Sequence, residues 1–368
     1  MHTSTIQLLS TLGLLGTVLG SSNSFPGSNV DIDTRSLDEI YEAAKLESGP
    51  LRIFWGGDED YQGDSVRTAW AQAFPDIELN LTVDLSKYHD SNIDRSWQRG
   101  ETFCDVAALQ TLHDYPRWKT QGRLLPYKPS SWESLWASVK DPNAAFLPLF
   151  FYYFGSVVYN PALISQADLP TSFADFTLPA WKGKLALTYP NDDDAIAYLF
   201  SLIINKYGWS WFEALATQDV QWVRGSATPG AVVGKNSTRS IAFGTLPGPN
   251  SAYLKEFFFQ DEQIITWAQT AAIFASTERP ESAKLFISWL TSSGFQENFA
   301  ASGYYVGRND LQSGPSTTTN ETVWESKIYD PIGFNRFMLD RSEVELWKLQ
   351  FETILGTAQG ASPLHDEL

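Results

Sequence analysis

Residues 51–74 read LRIFWGGDEDYQGDSVRTAWAQAF and contain three segments of different character. Leu51–Trp55 is apolar except for one arginine and predicts a short buried strand. A loop of glycines and acids follows at 56–60, and Ser65–Phe74 carries apolar residues three and four positions apart, which predicts a helix. Pro75 ends that helix. The region therefore predicts one strand–loop–helix unit.

The same order of segments recurs along the chain. Further strands are predicted at 77–81, 105–109, 185–188 and 240–244, and further helices at 193–206, 281–290, 295–301 and 343–355. Strands that alternate with helices predict an α/β fold in which helices cover both faces of the sheets. Two long apolar segments, 146–160 and 264–275, are expected to cross between two lobes.

Several short motifs, taken in order, resemble a known family. They are Gly49–Gly57, Cys104–Val106, Gln121–Tyr127, Val158–Asn160, Pro179–Leu185 and Arg279–Leu290, continuing to Gln296 and Gly303. In order and spacing the chain, over roughly residues 36 to 310, resembles the bacterial periplasmic solute-binding proteins of ABC importers. The similar group includes the ferric-iron, thiamine and polyamine binders. The resemblance implies a two-lobed periplasmic-binding-protein-like fold with mixed sheets, crossover hinge strands and an interlobe cleft.

The expected domain boundaries follow from this resemblance. Lobe 1 is expected at 36–150 together with 268–310, and lobe 2 at 151–267. The segment 311–364 is expected to form a loop and helices that pack on the lobes.

Two acidic clusters are predicted to face each other across the cleft. Asp58–Asp60 follows the first strand, and Asp192–Asp194 follows a strand of the second lobe. Ligands of open α/β sheets bind beside such strand ends. The candidate ligand-binding residues are Trp55, Asp58, Glu59, Asp60, Gln110, Tyr189, Asp192 and Asp193. Like charge would hold the lobes apart until a cation binds between them.

Each acidic cluster also has a structural interpretation. Acids in the first turn of a helix cap it and favour its dipole, which explains Asp192–Asp194 without a ligand. The cluster Asp58–Asp60 is equally typical of a solvated turn.

The expected ligand is a small molecule or an ion of positive charge, and two kinds remain open. Carboxylates beside aromatic rings suit an organic cation such as thiamine or a polyamine, whereas a hard metal ion prefers oxygen ligands alone. Ferric binders of the similar group present a histidine, a glutamate and a pair of adjacent tyrosines. At those places this chain has Asp58, Gln110 and Leu246–Pro247, so ferric iron is not expected. Tyr152–Tyr153 and Tyr304–Tyr305 are interpreted as core.

No catalytic motif is apparent, so we expect a binding protein that is not an enzyme and needs no cofactor. The sequence contains no Gly-x-Ser-x-Gly, no His-Glu-x-x-His and no phosphate-binding Gly-x-x-x-x-Gly-Lys. The alternative is a lumenal enzyme that acts on glycans or small molecules through cleft carboxylates, and a third possibility is a chaperone-like protein. Cys104, the single cysteine, begins an apolar strand and is expected to be a buried thiol.

The terminal segments predict the lumen of the endoplasmic reticulum. Residues 1–20 have the apolar run of a signal peptide, 21–35 are expected to be a disordered leader, and His365, Asp366, Glu367 and Leu368 form a retrieval signal for its receptor. Asn80, Asn236 and Asn320 begin N-glycosylation sequons.

Composition limits the partners. The net charge of −17 argues against nucleic acid, which binds basic surfaces. Beyond the signal segment no apolar run is long enough to span a membrane, and we expect a monomer.

Overall fold

The computed structural model describes residues 30–101, 103–234, 238–244, 253–301, 304–311 and 331–365. The signal segment, Leu246–Pro247, the sequons at Asn236 and Asn320, and residues 366–368 lie outside these ranges. Asn80 is exposed on a strand.

The chain alternates strands and helices from residue 37 onward. In chain order the elements are α1 (Leu37–Ala44), β1 (Leu51–Gly56), α2 (Asp64–Ala73), β2 (Leu79–Asp84), α3 (Ser86–Gln98), β3 (Val106–Leu109), α4 (Asp114–Thr120), β4 (Leu124–Leu125), β5 (Leu147–Phe154), β6 (Ser156–Tyr159), β7 (Ala186–Thr188), α5 (Asp194–Tyr207), α6 (Trp209–Ala216), β8 (Gln221–Val223), α7 (Thr228–Gly234), β9 (Ile241–Gly244), β10 (Lys255–Phe257), β11 (Ile265–Phe274), α8 (Pro280–Leu290), α9 (Ser293–Ala301), β12 (Tyr305–Val306), α10 (Pro331–Leu339) and α11 (Arg341–Leu355).

The first lobe is built on a mixed sheet with the strand order β12-β5-β11-β3-β1-β2, and β4 also pairs with β11. Strand β1 is parallel to β2 and to β3, while β11 runs antiparallel to β3 and β5. The parallel strands require crossovers, which α2 and α3 supply. The loops after β1 and β3 therefore lie at one edge of the sheet.

The second lobe has smaller sheets. Strand β6 lies between β10 and β9 in one, and β7 pairs with β8 in parallel in the other. A bridge between Leu185 and Ile241 joins the two. Helices α5 and α6 pack beside them around buried aromatic side chains such as Phe200 and Phe212.

Two chain crossings connect the lobes. Strand β5 belongs to the first sheet and β6 to the second, and Gly155 between them has a φ of +111°. A Cβ on Gly155 would also lie 3.1 Å from the Ile264 side chain, so the bend requires glycine. The return crossing runs from β10 into β11. This architecture confirms the predicted two-lobed α/β fold with mixed sheets.

The C-terminal helices pack on the core of the second lobe. The ring centroids of Tyr198 and Phe337 lie 4.9 Å apart, and those of Phe212 and Phe351 lie 5.1 Å apart. Phe337 of α10 and Phe351 of α11 are buried. Helices α10 and α11 thus complete a hydrophobic core that the second lobe alone would leave open.

The predicted elements agree with the structure within a few residues, with identifiable exceptions. Helix α3 was not predicted, and the second strand lies at 79–84 rather than 77–81. The expected disordered leader is wrong for residues 30–35, because Ile32 pairs with Lys128 and Arg35 forms a 2.7 Å ion pair with Glu281. No helix in the described ranges is long and apolar enough to cross a membrane.

Candidate ligand site between the lobes

A cavity of about 820 Å³ lies between the lobes. Its wall takes residues from the loops after β1 and β3, from the start of α3, from β5 and β11, and from the second lobe and the C-terminal helices. Its charged and aromatic lining residues are Trp55, Asp58, Tyr61, Asp64, Lys87, Asp90, His113, Phe150, Tyr152, Tyr153, Asp192, Asp193, Asp194, Trp267, Phe299, Tyr304, Phe334, Arg341 and Lys348.

Asp58 lies at the first-lobe wall and reaches the second lobe. Its Oδ2 accepts a hydrogen bond from the Ala227 N–H at 2.7 Å, and its Oδ1 accepts one from Gln62 Nε2 at 3.1 Å. Gly225 permits this approach, because a Cβ there would lie 2.9 Å from Oδ2. Burial raises the pKa of the Asp58 carboxyl, and these hydrogen bonds only partly offset that effect. Asp58 is thus a buried carboxyl group whose observed hydrogen-bond donors are neutral.

Asp192 also connects the lobes, but it is neutralised by cations. Lys87 Nζ from the first lobe lies 2.9 Å from its Oδ1, and Arg224 Nε lies 2.9 Å from its Oδ2. Arg224 also donates a hydrogen bond to the Tyr88 hydroxyl at 2.9 Å. Burial would raise the pKa of Asp192, but Arg224 and Lys87 outweigh it and lower the pKa.

The other two acids of this cluster stabilise local structure. Asp193 caps α5, its Oδ1 accepting hydrogen bonds from the Ala195 and Ile196 N–H groups at 2.8 and 3.2 Å. Asp194 forms ion pairs with Arg341 and Lys348 at 2.7 and 3.0 Å. The helix-capping interpretation therefore describes Asp193, and the expected repulsion between two free acidic clusters is wrong.

Trp55 and Gln110 have different environments in the wall. Trp55 is fully buried, and its Nε1 has no hydrogen-bond partner among the described residues. Gln110 donates to the Gly56 carbonyl at 3.2 Å and accepts from Trp267 Nε1 at 2.9 Å. Its amide therefore connects β1 to β11 through hydrogen bonds, which leaves few hydrogen-bonding positions for a ligand.

Three predicted ligand residues are not part of the cavity lining. Glu59 and Asp60 lie in a short turn of 3₁₀ helix at 60–63 and its cap. The Tyr189 ring packs against Trp222 at 5.8 Å between centroids. The solvated-turn interpretation therefore fits Glu59 and Asp60, and Tyr189 belongs to the packing of the second lobe.

The tyrosine pairs contribute more to the site than the core interpretation allowed. Tyr152, Tyr153 and Tyr304 line the cavity, whereas Tyr305 is buried in β12. Burial, followed by the nearby Tyr304 and Asp58, raises the pKa of Tyr152. An alternation of polar and apolar residues along the strand would have indicated which side chains face the cleft. Residues 147–154 are apolar throughout, so the sequence shows no such alternation.

The two lobes and the cavity between them define the class of a two-lobed solute-binding protein. The profile of the family described as "Bacterial extracellular solute-binding protein" matches residues 115–316, more than half of the chain. The chain belongs to this family.

One curated relative is the Fe(3+)-binding periplasmic protein of Serratia marcescens. It is 29% identical in an alignment of 152 positions that covers 38% of this chain and 45% of the relative. The chain thus matches less than half of that relative's length.

Solved structures share the fold over most of both chains. Iron-bound HitA from Pseudomonas aeruginosa gives a TM-score of 0.62 at 16% identity, covering 82% of this chain and 99% of HitA. The substrate-binding protein of the ABC transporter from Agrobacterium tumefaciens gives 0.67 at 14% identity, with coverage of 84% and 96%. AfuA from Actinobacillus pleuropneumoniae, solved with fructose-6-phosphate, gives 0.64 at 14% identity, with coverage of 84% and 100%. At these identities the likeness concerns the fold alone.

Proposed function

We propose that this protein reversibly binds a positively charged organic solute in the interlobe cavity, without chemical turnover. The observation that carries the proposal is Asp58, a buried carboxyl group in the cavity wall. In the described part of the chain it has neutral hydrogen-bond donors and no lysine or arginine within ion-pair distance. A buried carboxylate without a cation is unfavourable, so a cationic ligand would gain from pairing with it.

Aromatic rings and size support an organic ligand over a bare ion. Tyr152 and Trp267 line the same cavity as Asp58. A cation over such rings gains about 0.5–2 kcal/mol for each well-placed ring. The volume of about 820 Å³ lies in the range of sites that enclose small organic molecules.

The family supports binding rather than catalysis. The relatives named above are described as binding proteins, which disfavours the alternative of a lumenal enzyme.

A ligand screen with a matched pair of variants tests the proposal. Thermal unfolding would be followed with thiamine, spermidine and arginine, with fructose-6-phosphate as the anionic control. Ligand at 100 times its Kd stabilises the native state by about 2.7 kcal/mol. Asp58→Asn should lower the affinity for the best cationic ligand by at least about 30-fold, because it removes one partner of a buried charge pair.

Asp64→Asn is the control, since Asp64 also lines the cavity but is exposed and pairs with Arg67 at 2.7 Å. It should leave affinity nearly unchanged. Stabilisation by the anion alone, or equal affinity of Asp58→Asn and the wild type, would contradict the proposal.

Ferric iron, or a ferric chelate, is the second candidate. The named Serratia relative is an Fe(3+)-binding protein, and Tyr152, Tyr304 and Asp58 line one cavity. A tyrosinate–iron bond produces a visible charge-transfer absorption. Titration with ferric citrate should produce this band and Tyr152→Phe should weaken it if iron is the ligand; a colourless titration excludes tyrosinate ligation.

We also propose the lumen of the endoplasmic reticulum as the place of action, on the basis of the terminal segments. Removal of His365–Leu368 should send the protein into the medium, measured by immunoblotting of cells and medium. Retention of the truncated protein would contradict a retrieval role.

A further inference from the structure

A second group of ionisable side chains, Asp90, His113 and Asp114, lies beside the cavity. Asp90 is on α3, while His113 and Asp114 begin α4. One ligand atom from each of the three side chains lies within 4.8 Å of the others. Asp90 and His113 also line the cavity.

Asp114 is the unusual member of this group. It is 1% exposed, and its Oδ1 lies 2.5 Å from Arg117 Nη2. Its Oδ2 is buried and has no hydrogen-bond donor in the described ranges. Native proteins rarely leave a buried carboxylate oxygen unpaired, so this atom indicates a missing partner.

Asp90 supplies a second carboxylate beside Asp114. One of its oxygens lies within 4.8 Å of an oxygen of Asp114. Two carboxyl groups in contact must share a proton or bind a cation. His113 beside them adds a nitrogen ligand, its Nε2 lying 3.8 Å from Asp114 Oδ1.

We propose that Asp90, His113 and Asp114 form a binding site for a divalent transition-metal ion, of which zinc is the best match. Zinc binds imidazole nitrogen and carboxylate oxygen at about 2.0–2.2 Å, which places tetrahedral ligand atoms about 3.4 Å apart. The observed separations require only small side-chain rotations to reach this geometry. Imidazole favours zinc over calcium or magnesium, which prefer oxygen.

Three protein ligands leave a fourth coordination position. Since Asp90 and His113 line the cavity, that position faces the space where a solute would lie. The site does not include Asp58, so it does not rest on the proposed function.

Two arginines lie close to the proposed ligands, and their positive charge opposes the binding of a metal ion. Arg117 is shared between Asp114 and Asp94, the latter at 2.7 Å. Arg341 Nη1 lies 3.5 Å from His113 Nδ1 but only 2.7 Å from Asp194. A metal on Nε2 leaves the proton on Nδ1, so Arg341 must turn away from His113 and keep Asp194 as its partner.

Calorimetric titration of chelator-stripped protein with Zn²⁺, at a pH of about 7, tests this site. We expect one bound ion per chain. Asp90→Asn and His113→Gln should each weaken binding by at least about tenfold, because even partners outside the ligand shell cost that much. Co²⁺ replaces Zn²⁺ as a spectroscopic probe, and its visible d–d bands should change in His113→Gln.

Asp64→Asn and Asp58→Asn are the controls and should keep full Zn²⁺ affinity. Thermal unfolding of each variant without metal verifies that the fold is intact. Binding of Zn²⁺ with equal affinity in the wild type, Asp90→Asn and His113→Gln would place the ion elsewhere and overturn the proposal. Absence of Zn²⁺ binding to the wild type would also overturn it.

Discussion

Lys87 and Asp192 form an ion pair across the cleft, with Nζ lying 2.9 Å from Oδ1. Lys87 also donates a hydrogen bond to the Asp192 carbonyl at 2.8 Å. Asp192, which the sequence suggested as a ligand for a cation, therefore connects the first lobe to the second through an ion pair. Together with Asp58–Ala227 and Tyr88–Arg224, it holds the lobes closed around the cavity.

Loss of the Lys87 ammonium should favour the open form. In Lys87→Met, Asp192 keeps Arg224, so the fold is retained while one interlobe contact is lost. Because Lys87 is partly exposed, the shift towards the open form should be at most about fivefold. Small-angle scattering of the ligand-free protein should show a larger radius of gyration. Lys284→Met, which removes an ion pair within α8, should leave the radius unchanged.

Glu256 should make the protein less stable as the pH rises. Ser156 Oγ donates a hydrogen bond to its Oε1 at 2.5 Å, and the Tyr153 hydroxyl donates to Oε2 at 3.2 Å. Burial raises the pKa of Glu256, so the native state holds a proton that the unfolded chain releases. This contribution to stability is complete below the unfolded pKa and is lost as pH rises through the native pKa.

The neutral analogue tests that direction. Glu256→Gln should increase the free energy of unfolding at pH 7 and lose the advantage near pH 4, measured by urea denaturation. An equal difference between the variant and the wild type at both pH values would show that ionisation of Glu256 is not responsible.

Cys104 should resist thiol reagents in the native protein. It is 3% exposed, and burial, followed by the charge of Asp105, raises the pKa of its thiol well above the usual value. Both effects suppress the reactive thiolate. Alkylation monitored by mass spectrometry should be slow in buffer and fast in denaturant. Rapid labelling of native protein would contradict this and indicate an accessible thiol.

Helix α11 should contribute strongly to stability through one face only. Phe351 is fully buried against Phe200 and Phe212, whereas Leu349 is 60% exposed. Phe351→Ala should lower the free energy of unfolding by about 3–5 kcal/mol. Leu349→Ala on the same helix should change it by less than about 0.5 kcal/mol. Similar losses in the two variants, measured by chemical denaturation, would mean that the helix does not pack as described.

Local pattern was sufficient for much of the fold. The capping box of Ser36 and Glu39 begins α1, the spacing of apolar residues located helices such as α2, and continuous apolar runs located the long strands β5 and β11. These features depend on residues a few positions apart. Helix α3 was missed because its sequence is polar on most positions, with only His89, Ile93 and Ser96 buried.

The sequence by itself determined the order of strand–loop–helix units and placed Asp58 and Asp192–Asp194 at strand ends beside a cleft. Only the tertiary structure decided what those acids do. The partners of Asp192 and Asp58 are Lys87 and Ala227, which lie 105 and 169 positions away. The state of a buried carboxylate depends on such contacts, because nearby charges and burial set both its pKa and its free energy. For this reason Asp192 is an interlobe ion pair, while Asp58 is a buried carboxyl group with neutral hydrogen-bond donors.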